Sequence, residues 1–239
     1  NRPDAHKPPP LHDSVDARLR AWLQSNARRA GQKLVDRDLA EQHGDSRTPR
    51  REALGRQAMM GHVESRSRRG YYVRQYTSEE VSDLYEFRKI LEVSAARLAA
   101  ENLLPEHVVQ FDRILRELEK MSPESSNRAR SVELDLEIHN LIARASGNAE
   151  LYGAIQNLMD KVMCFIWVDW ADPASADPAG IAAANREHKE LILSIKDKDA
   201  DSAAERLGAH IDHARNVMIN LLNAREELRQ AFLSGASSR

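Results

Sequence analysis

The chain has 239 residues, of which 41% are hydrophobic and 30% are charged, and its formal net charge at neutral pH is −2. This composition is ordinary for a globular protein, and no apolar run reaches the roughly 18 residues that a membrane span requires. The first ten residues lack the apolar core of a secretory signal, so we expect no signal peptide and interpret residues 1–10 as a disordered arm. One cysteine, Cys164, excludes an internal disulfide framework and predicts a cytoplasmic protein.

Charge divides the chain into a basic front part and an acidic remainder. Residues 1–75 hold 16 Lys and Arg against 9 Asp and Glu, a balance of +7, whereas the rest of the chain has a balance of −9. A basic module joined to an acidic one indicates that only the front part meets a polyanion such as DNA. Ordinary variation of surface charge between domains is the alternative explanation.

Residues 11–75 have the pattern of a helix-turn-helix module. Apolar residues spaced by three and four predict a first helix over Leu11–Leu23, and a short second helix occupies Asp36–Gly44. The third helix, predicted over Thr48–Met60, has a proline and several arginines in its first turn, which directs N–H and guanidinium groups toward DNA phosphate or base edges. The side chains that this third helix is predicted to bury are Ala53, Leu54 and Ala58.

A β-hairpin is predicted directly after the third helix. Within Val63–Val73, two short β-branched or aromatic runs flank a cationic turn that contains Gly70. In this position a hairpin is typical of a DNA-binding wing, whereas the alternative is a solvated cationic loop. The residues predicted to contact DNA are Arg37, Ser46, Arg47, Thr48, Arg50, Arg51, Arg66, Arg68, Arg69 and Gly70.

The spacing of residues between Leu39 and Val73 resembles the winged-helix domain of the GntR superfamily. The matching residues are Leu39, Ala40, Glu41, Gly44, Ser46, Arg47, Thr48, Pro49, Arg51, Glu52, Ala53, Leu54, Gly61, Val63, Glu64, Arg69, Gly70 and Val73. The resemblance implies a winged helix-turn-helix over residues 11–75 and double-stranded operator DNA as its partner. Gln57 and His62 stand where the family usually has apolar residues.

The second part of the chain, residues 77–232, is predicted to form an antiparallel bundle of six helices. Thr77 or Ser78 followed by two glutamates is typical of a capped helix start, and no segment alternates with period two for long enough to form a sheet. The fold class is therefore mainly α, with a small β-hairpin wing in the first domain, and residues 233–239 are predicted to form a flexible tail. The predicted helices cover residues 78–101, 105–121, 128–146, 149–170, 178–196 and 199–232.

Three histidines and one aspartate of this bundle form a candidate metal site. Asp135 and His139 are four residues apart and therefore share one face of a helix. His188 and His210 lie on two other predicted helices, and three imidazoles with one carboxylate suit Zn²⁺, Ni²⁺ or a similar cation. The residue types alone do not exclude the alternative that these side chains lie on the surface and bind no metal.

The segment Leu84–Glu92, with Ala95–Ala100 and the spacing of these four side chains, resembles the FCD domain of the FadR branch of the same superfamily. Six helices rather than seven resemble its VanR subgroup. The resemblance implies that the aspartate and the three histidines hold a divalent metal ion, with a small organic acid bound beside it. It also implies that Arg88 faces the pocket and pairs with the carboxylate of this effector.

Several nearby side chains allow more than one interpretation. His213 lies one turn beyond His210, where we expect it to be solvated or bonded to a helix rather than to line the pocket. Trp167 and Trp170 are expected in the core or a dimer interface rather than in the pocket wall. Asp212 either faces solvent or supports a ligating histidine.

The sequence predicts a dimeric transcriptional regulator, by default a repressor, whose binding to a two-fold symmetric operator is controlled by the effector. A helical-bundle metalloenzyme is the main alternative, although Glu137 points to another face of its helix than Asp135 and no other general base stands beside the ligands. A regulator that senses the metal itself is the third interpretation.

Overall fold

The computed structural model describes residue 19 and residues 31–34, 47–121, 128–170 and 178–236. This part of the chain forms two compact units, and the boundary between them lies between Tyr76 and Thr77. The end of the helix Ala149–Trp170, from Lys161 onward, is assigned to the first unit. The first two predicted helices of the helix-turn-helix lie outside the described residues, except for Leu19.

The first unit combines one helix with a small antiparallel sheet. Its described elements are β1 (Lys33–Leu34), α1 (Arg47–Met59), β2 (Val63–Arg66) and β3 (Gly70–Val73). The predicted hairpin forms between β2 and β3, and β1 joins it on the other side of β3, which gives the strand order β1-β3-β2. The sequence did not predict β1, because a strand of two residues has no readable period.

The core of the first unit is small and has a buried polar pair beside its apolar residues. Gln57 and His62 are both buried, and Nδ1 of His62 lies 2.5 Å from Oε1 of Gln57. The His62 N–H also donates to the Gln57 carbonyl oxygen at 2.9 Å, so the two residues that replace expected apolar residues bond to each other. The buried apolar residues of this core are Leu19, Leu34, Ala53, Leu54, Val63 and Val73, with Ala58 and Tyr71 packed against them.

The second unit is helical in the described part of the chain, and together the two units confirm the predicted fold class. Its helices begin and end within four residues of the predicted limits, and the last helix continues to Ala236, into the predicted flexible tail. No described helix is both long enough and apolar enough to cross a membrane. The helices are α2 (Ser78–Glu101), α3 (Pro105–Lys120), α4 (Arg128–Ala145), α5 (Ala149–Trp170), α6 (Pro178–Lys196) and α7 (Ala200–Ala236).

A capping box fixes the start of α2. Oγ1 of Thr77 accepts the N–H of Glu80 at 3.1 Å, while the Glu80 carboxylate accepts the N–H of Thr77 at 3.0 Å. This reciprocal pair satisfies two N–H groups that the helix start would otherwise leave unpaired, as the sequence predicted.

Helices α2, α4, α6 and α7 surround the interior in which the candidate site lies. The α2 helix packs along α7, and the pairs α6–α7, α2–α4, α2–α6 and α4–α6 also pack together. At 1.5 Å per residue, the 37 residues of α7 span about 55 Å, so α7 extends beyond the shorter helices. Buried alanines at the end of α2, from Ala95 to Ala100, allow close approach to neighbouring helices.

Candidate metal centre and DNA-binding surface

Four side chains from three helices of the bundle converge on one point. The α4 helix contributes Asp135 and His139, α6 contributes His188, and α7 contributes His210. The potential ligand atoms of these residues all lie within 4.8 Å of one another. The fold therefore brings together the four side chains that the sequence singled out as a ligand set.

One oxygen of Asp135 faces all three imidazoles. Its Oδ1 atom lies 3.7 Å from Nε2 of His139, 3.3 Å from Nε2 of His188 and 3.7 Å from Nε2 of His210. The histidine side chains are at most 5% exposed, whereas the Asp135 side chain is 27% exposed. Three nitrogens and one oxygen at such separations suit a borderline divalent cation.

The Nε2 atom of His188 tests whether these residues fit a metal ion. It is buried, and it has no hydrogen-bond partner among the described residues, since its contact with Asp135 lacks hydrogen-bond geometry. An unpaired buried nitrogen is costly, and a bond to a cation would remove that cost. The donor set and the unpaired nitrogen therefore both fit a divalent ion.

Two carboxylates that the sequence analysis did not single out hold the opposite nitrogens of two histidines. Nδ1 of His139 donates to Glu92 on α2, and Nδ1 of His210 donates to Glu187 on α6 at 2.8 Å. A carboxylate that accepts the Nδ1–H leaves Nε2 free to bind a metal. Only weak signals mark these two residues in the sequence. Glu92 follows Arg88 by four residues on a mainly apolar helix face, and Glu187 directly precedes His188.

Arg88 is buried next to this cluster, with 2% of its side chain exposed. Its Nε lies 2.5 Å from Oε1 of Glu92, and its Nη2 lies 3.0 Å from Nε2 of His139. The guanidinium carbon also lies 5.5 Å from the ring centroid of Tyr85. The carboxylate partner of Arg88 in the structure is thus Glu92 of the same helix.

Burial and charge displace the pKa values of this site. Burial disfavours the charged form of His139, but the carboxylates of Glu92 and Asp135 raise its pKa to about 9. Burial and the neighbouring His210 lower the pKa of His188 to about 4. Burial also opposes ionisation of Asp135, yet the three histidines hold its pKa well below its usual range. The carboxylates therefore favour a proton on His139, whereas His188 is neutral at neutral pH.

Two side chains for which the sequence allows more than one interpretation have charged partners in the structure. The half-exposed His213 bonds through Nδ1 to Glu187 at 2.8 Å. Asp212 pairs with Lys89 at 2.5 Å and does not contact a ligating histidine in the described set of bonds. The side chains that lie outside the described ones are Cys164, Trp167 and Trp170.

The described residues of the predicted DNA-contacting set lie on α1 and at the hairpin turn. Thr48 and Arg51 on α1 are exposed, and so are Arg68, Arg69 and Gly70 at the turn. The turn requires positive φ at two positions, +59° at Arg68 and +95° at Gly70, which explains the glycine. The residues or side chains of the set that lie outside the described ones are Arg37, Ser46, Arg47 and Arg50.

Arg66 differs from the other predicted DNA contacts because it already has partners. Its Nε and Nη2 atoms each donate to the Glu64 carboxylate at 3.0 Å. Its guanidinium also lies 4.2 Å from the ring centroid of Tyr72. A DNA phosphate would therefore have to compete with Glu64 for this arginine.

Comparison with known families matches both parts of the chain. Residues 11–73 match the bacterial regulatory proteins of the gntR family. Residues 83–213, more than half of the chain, match the FCD domain. The first match contains α1 and the hairpin, and the second contains all four converging side chains together with Arg88.

Individual relatives are regulators of the same kind. The Nta operon transcriptional regulator of Aminobacter aminovorans is 27% identical over 183 residues, which are 77% of this chain and 82% of that protein. The structure of E. coli McbR/YncC matches 88% of this chain and 98% of its own with a TM-score of 0.75 and 22% identity. The Zn²⁺-bound FCD domain of TM0439 matches 62% of this chain and 97% of its own with a TM-score of 0.50 and 21% identity.

Proposed function

This chain belongs to the GntR family of bacterial regulatory proteins and carries an FCD domain, and we propose that it is a repressor that a small organic acid releases from its operator. Its families and relatives are transcriptional regulators, so it is a transcriptional regulator and not an enzyme. The observation that carries the proposed effector control is the convergence of Asp135, His139, His188 and His210 on one point inside the bundle.

A divalent ion, Zn²⁺ or Ni²⁺, is the proposed cofactor at this point. The zinc in the FCD domain of TM0439 and the unpaired nitrogen of His188 support the assignment. The hydrogen bonds of Glu92 and Glu187 to the Nδ1 atoms of two histidines support it as well, because they orient these rings with Nε2 toward Asp135. When bound, the ion supplies a fixed positive charge that attracts an organic anion.

Arg88 is the proposed anchor for the effector carboxylate. A guanidinium has five N–H donors, of which Nε bonds to Glu92 and Nη2 lies next to His139 in the structure. Bidentate pairing with a planar carboxylate is the interaction for which arginine is best suited. An acid bound here would touch the same guanidinium that Glu92 holds, so effector binding would rearrange contacts within α2.

The α2 helix offers a direct connection from the site to the DNA-binding unit. It starts immediately after the division at Thr77, and Arg88 lies about 15 Å further along it at 1.5 Å per residue. Oγ of Ser78 also donates to Oδ1 of Asn223 at 2.7 Å, which links the start of α2 to α7, the helix that carries His210. We propose that a shift of these helices changes the spacing of two winged helices in a homodimer on a two-fold operator.

A DNA-binding titration tests effector control. An operator fragment is first selected from random DNA with the zinc-loaded protein, and its affinity is then measured with a panel of mono-, di- and tricarboxylic acids. We expect at least one acid to weaken binding by about 5- to 150-fold, the usual range of coupling between sites. Arg88→Met should remove this response and keep basal DNA binding, whereas Arg97→Met, on the exposed side of α2, should leave both unchanged.

Two outcomes would contradict the proposal. If no acid changes DNA affinity at full zinc content, the organic acid is not the signal. If zinc alone changes DNA affinity and no acid adds to it, the chain is a sensor of the metal itself.

A further inference from the structure

Glu187 on α6 bonds two histidines of α7 at once. Its Oε2 atom lies 2.8 Å from Nδ1 of His210, and its Oε1 atom lies 2.8 Å from Nδ1 of His213. An ionised carboxylate can only accept hydrogen bonds, so both Nδ1 atoms donate.

These contacts run from the buried site toward the surface. The exposed fraction of the side chain rises from 5% at His210 to 34% at Glu187 and 43% at His213. Each histidine occupies one carboxylate oxygen, so the carboxylate cannot rotate without breaking a bond. His213 therefore holds the Glu187 carboxylate in place from the solvent side, and this carboxylate orients the buried His210.

We propose that Glu187 and His213 are positioning residues for the metal centre. Glu187 fixes the tautomer of His210 that leaves Nε2 available to the ion, and His213 holds the Glu187 carboxylate in place. His213 itself is not a ligand, although it lies one turn from one. This inference rests on the proposed metal centre and adds two residues that its ligand set does not include.

Zinc affinity of the full chain, measured by competition with a chelator, tests this inference. Glu187→Ala should weaken zinc binding about 10- to 100-fold, the usual effect of removing a carboxylate behind a ligating histidine. His213→Ala should weaken it by about threefold, the effect of losing one modest hydrogen bond on the positioning group. Glu190→Ala is the matched control, because Glu190 also joins α6 to α7, through Arg206, but contacts no ligand.

A double variant separates positioning from direct ligation. In the Glu187→Ala background, His213→Ala should cause no further loss, because the carboxylate that it holds is already gone. An equal or larger loss in that background would mean that His213 acts on the metal directly, and this result would overturn the inference. Glu187→Gln keeps the side-chain shape but can accept only one Nδ1–H, so it serves if the alanine variant does not fold.

Two further results separate this inference from the proposed function. If the unmodified chain binds no zinc, the metal centre itself is wrong. If the unmodified chain binds zinc and Glu187→Ala binds it as tightly as Glu190→Ala, only the positioning role is wrong. The absorption spectrum of the Co²⁺-loaded protein gives an independent readout, because a reoriented His210 should change the ligand-field bands of Glu187→Ala while the Glu190→Ala spectrum stays as in the parent.

Discussion

His188→Ala should remove most of the stabilisation that we expect zinc to give to the helical unit. At a zinc concentration about 100 times Kd, binding to the folded state alone stabilises it by about 2.7 kcal/mol. For a unit of roughly 150 residues, each kcal/mol raises Tm by about 2–4 °C, so zinc should raise the Tm of the parent by about 5–10 °C. His188 is one of the four proposed ligands, and its loss should remove most of this shift.

The metal-free state of the same variant should change much less. The substitution removes a buried unpaired nitrogen, which costs the folded parent about 1–3 kcal/mol of stability. It also leaves a cavity, which destabilises the folded variant and offsets this gain. Thermal melting followed by circular dichroism, on chelator-treated protein with and without added zinc, measures both states. His107→Ala is the control, because His107 is buried on α3 outside the cluster and its loss should keep the zinc-dependent shift. A full shift in His188→Ala would refute the four-ligand site.

Two further predictions concern the DNA-binding unit. Gln57→Leu should destabilise it by about 1–3 kcal/mol in urea unfolding, because His62 loses a buried partner, and Gln57→Leu/His62→Leu should cost less because both polar groups are removed. Equal losses in the two variants would contradict the role of the pair. Log affinity for DNA falls linearly with log salt concentration, and Arg51→Ala should reduce the steepness of this dependence by about one. Arg66→Ala should reduce it less, because Glu64 already pairs with Arg66. Salt titrations with identical slopes for the two variants would refute this difference.

Local signals explain why the helix limits could be predicted. The capping box of Thr77 and Glu80, the proline at Pro105 and the glycine at Gly147 each act through the chain around them. At Gly147 the backbone has φ of +72°, a conformation that glycine adopts without strain and that ends a helix. Such signals need no knowledge of tertiary packing.

The site itself was only partly predictable because its geometry depends on how four helices pack. Helical spacing alone joined Asp135 to His139, whereas the assignment of His188 and His210 relied on resemblance to a family. Only weak sequence signals mark Glu92 and Glu187, since a glutamate on a helix is usually solvated and only the packing of the helices directs these two toward histidines.

Charge balance inside the bundle connects the proposed metal with the proposed acid. With neutral imidazoles, the three charged groups around His139, namely Arg88, Glu92 and Asp135, sum to −1, and an uncompensated charge is costly in a buried site. A proton on His139 supplies the missing charge, which is why the two carboxylates raise its pKa to about 9. The proposed divalent ion in place of that proton would take the sum of these charges to +1, and one effector carboxylate would return it to zero. In the proposed site, these charges would therefore give the cation and the organic anion places in one neutral arrangement, in which each would favour the binding of the other.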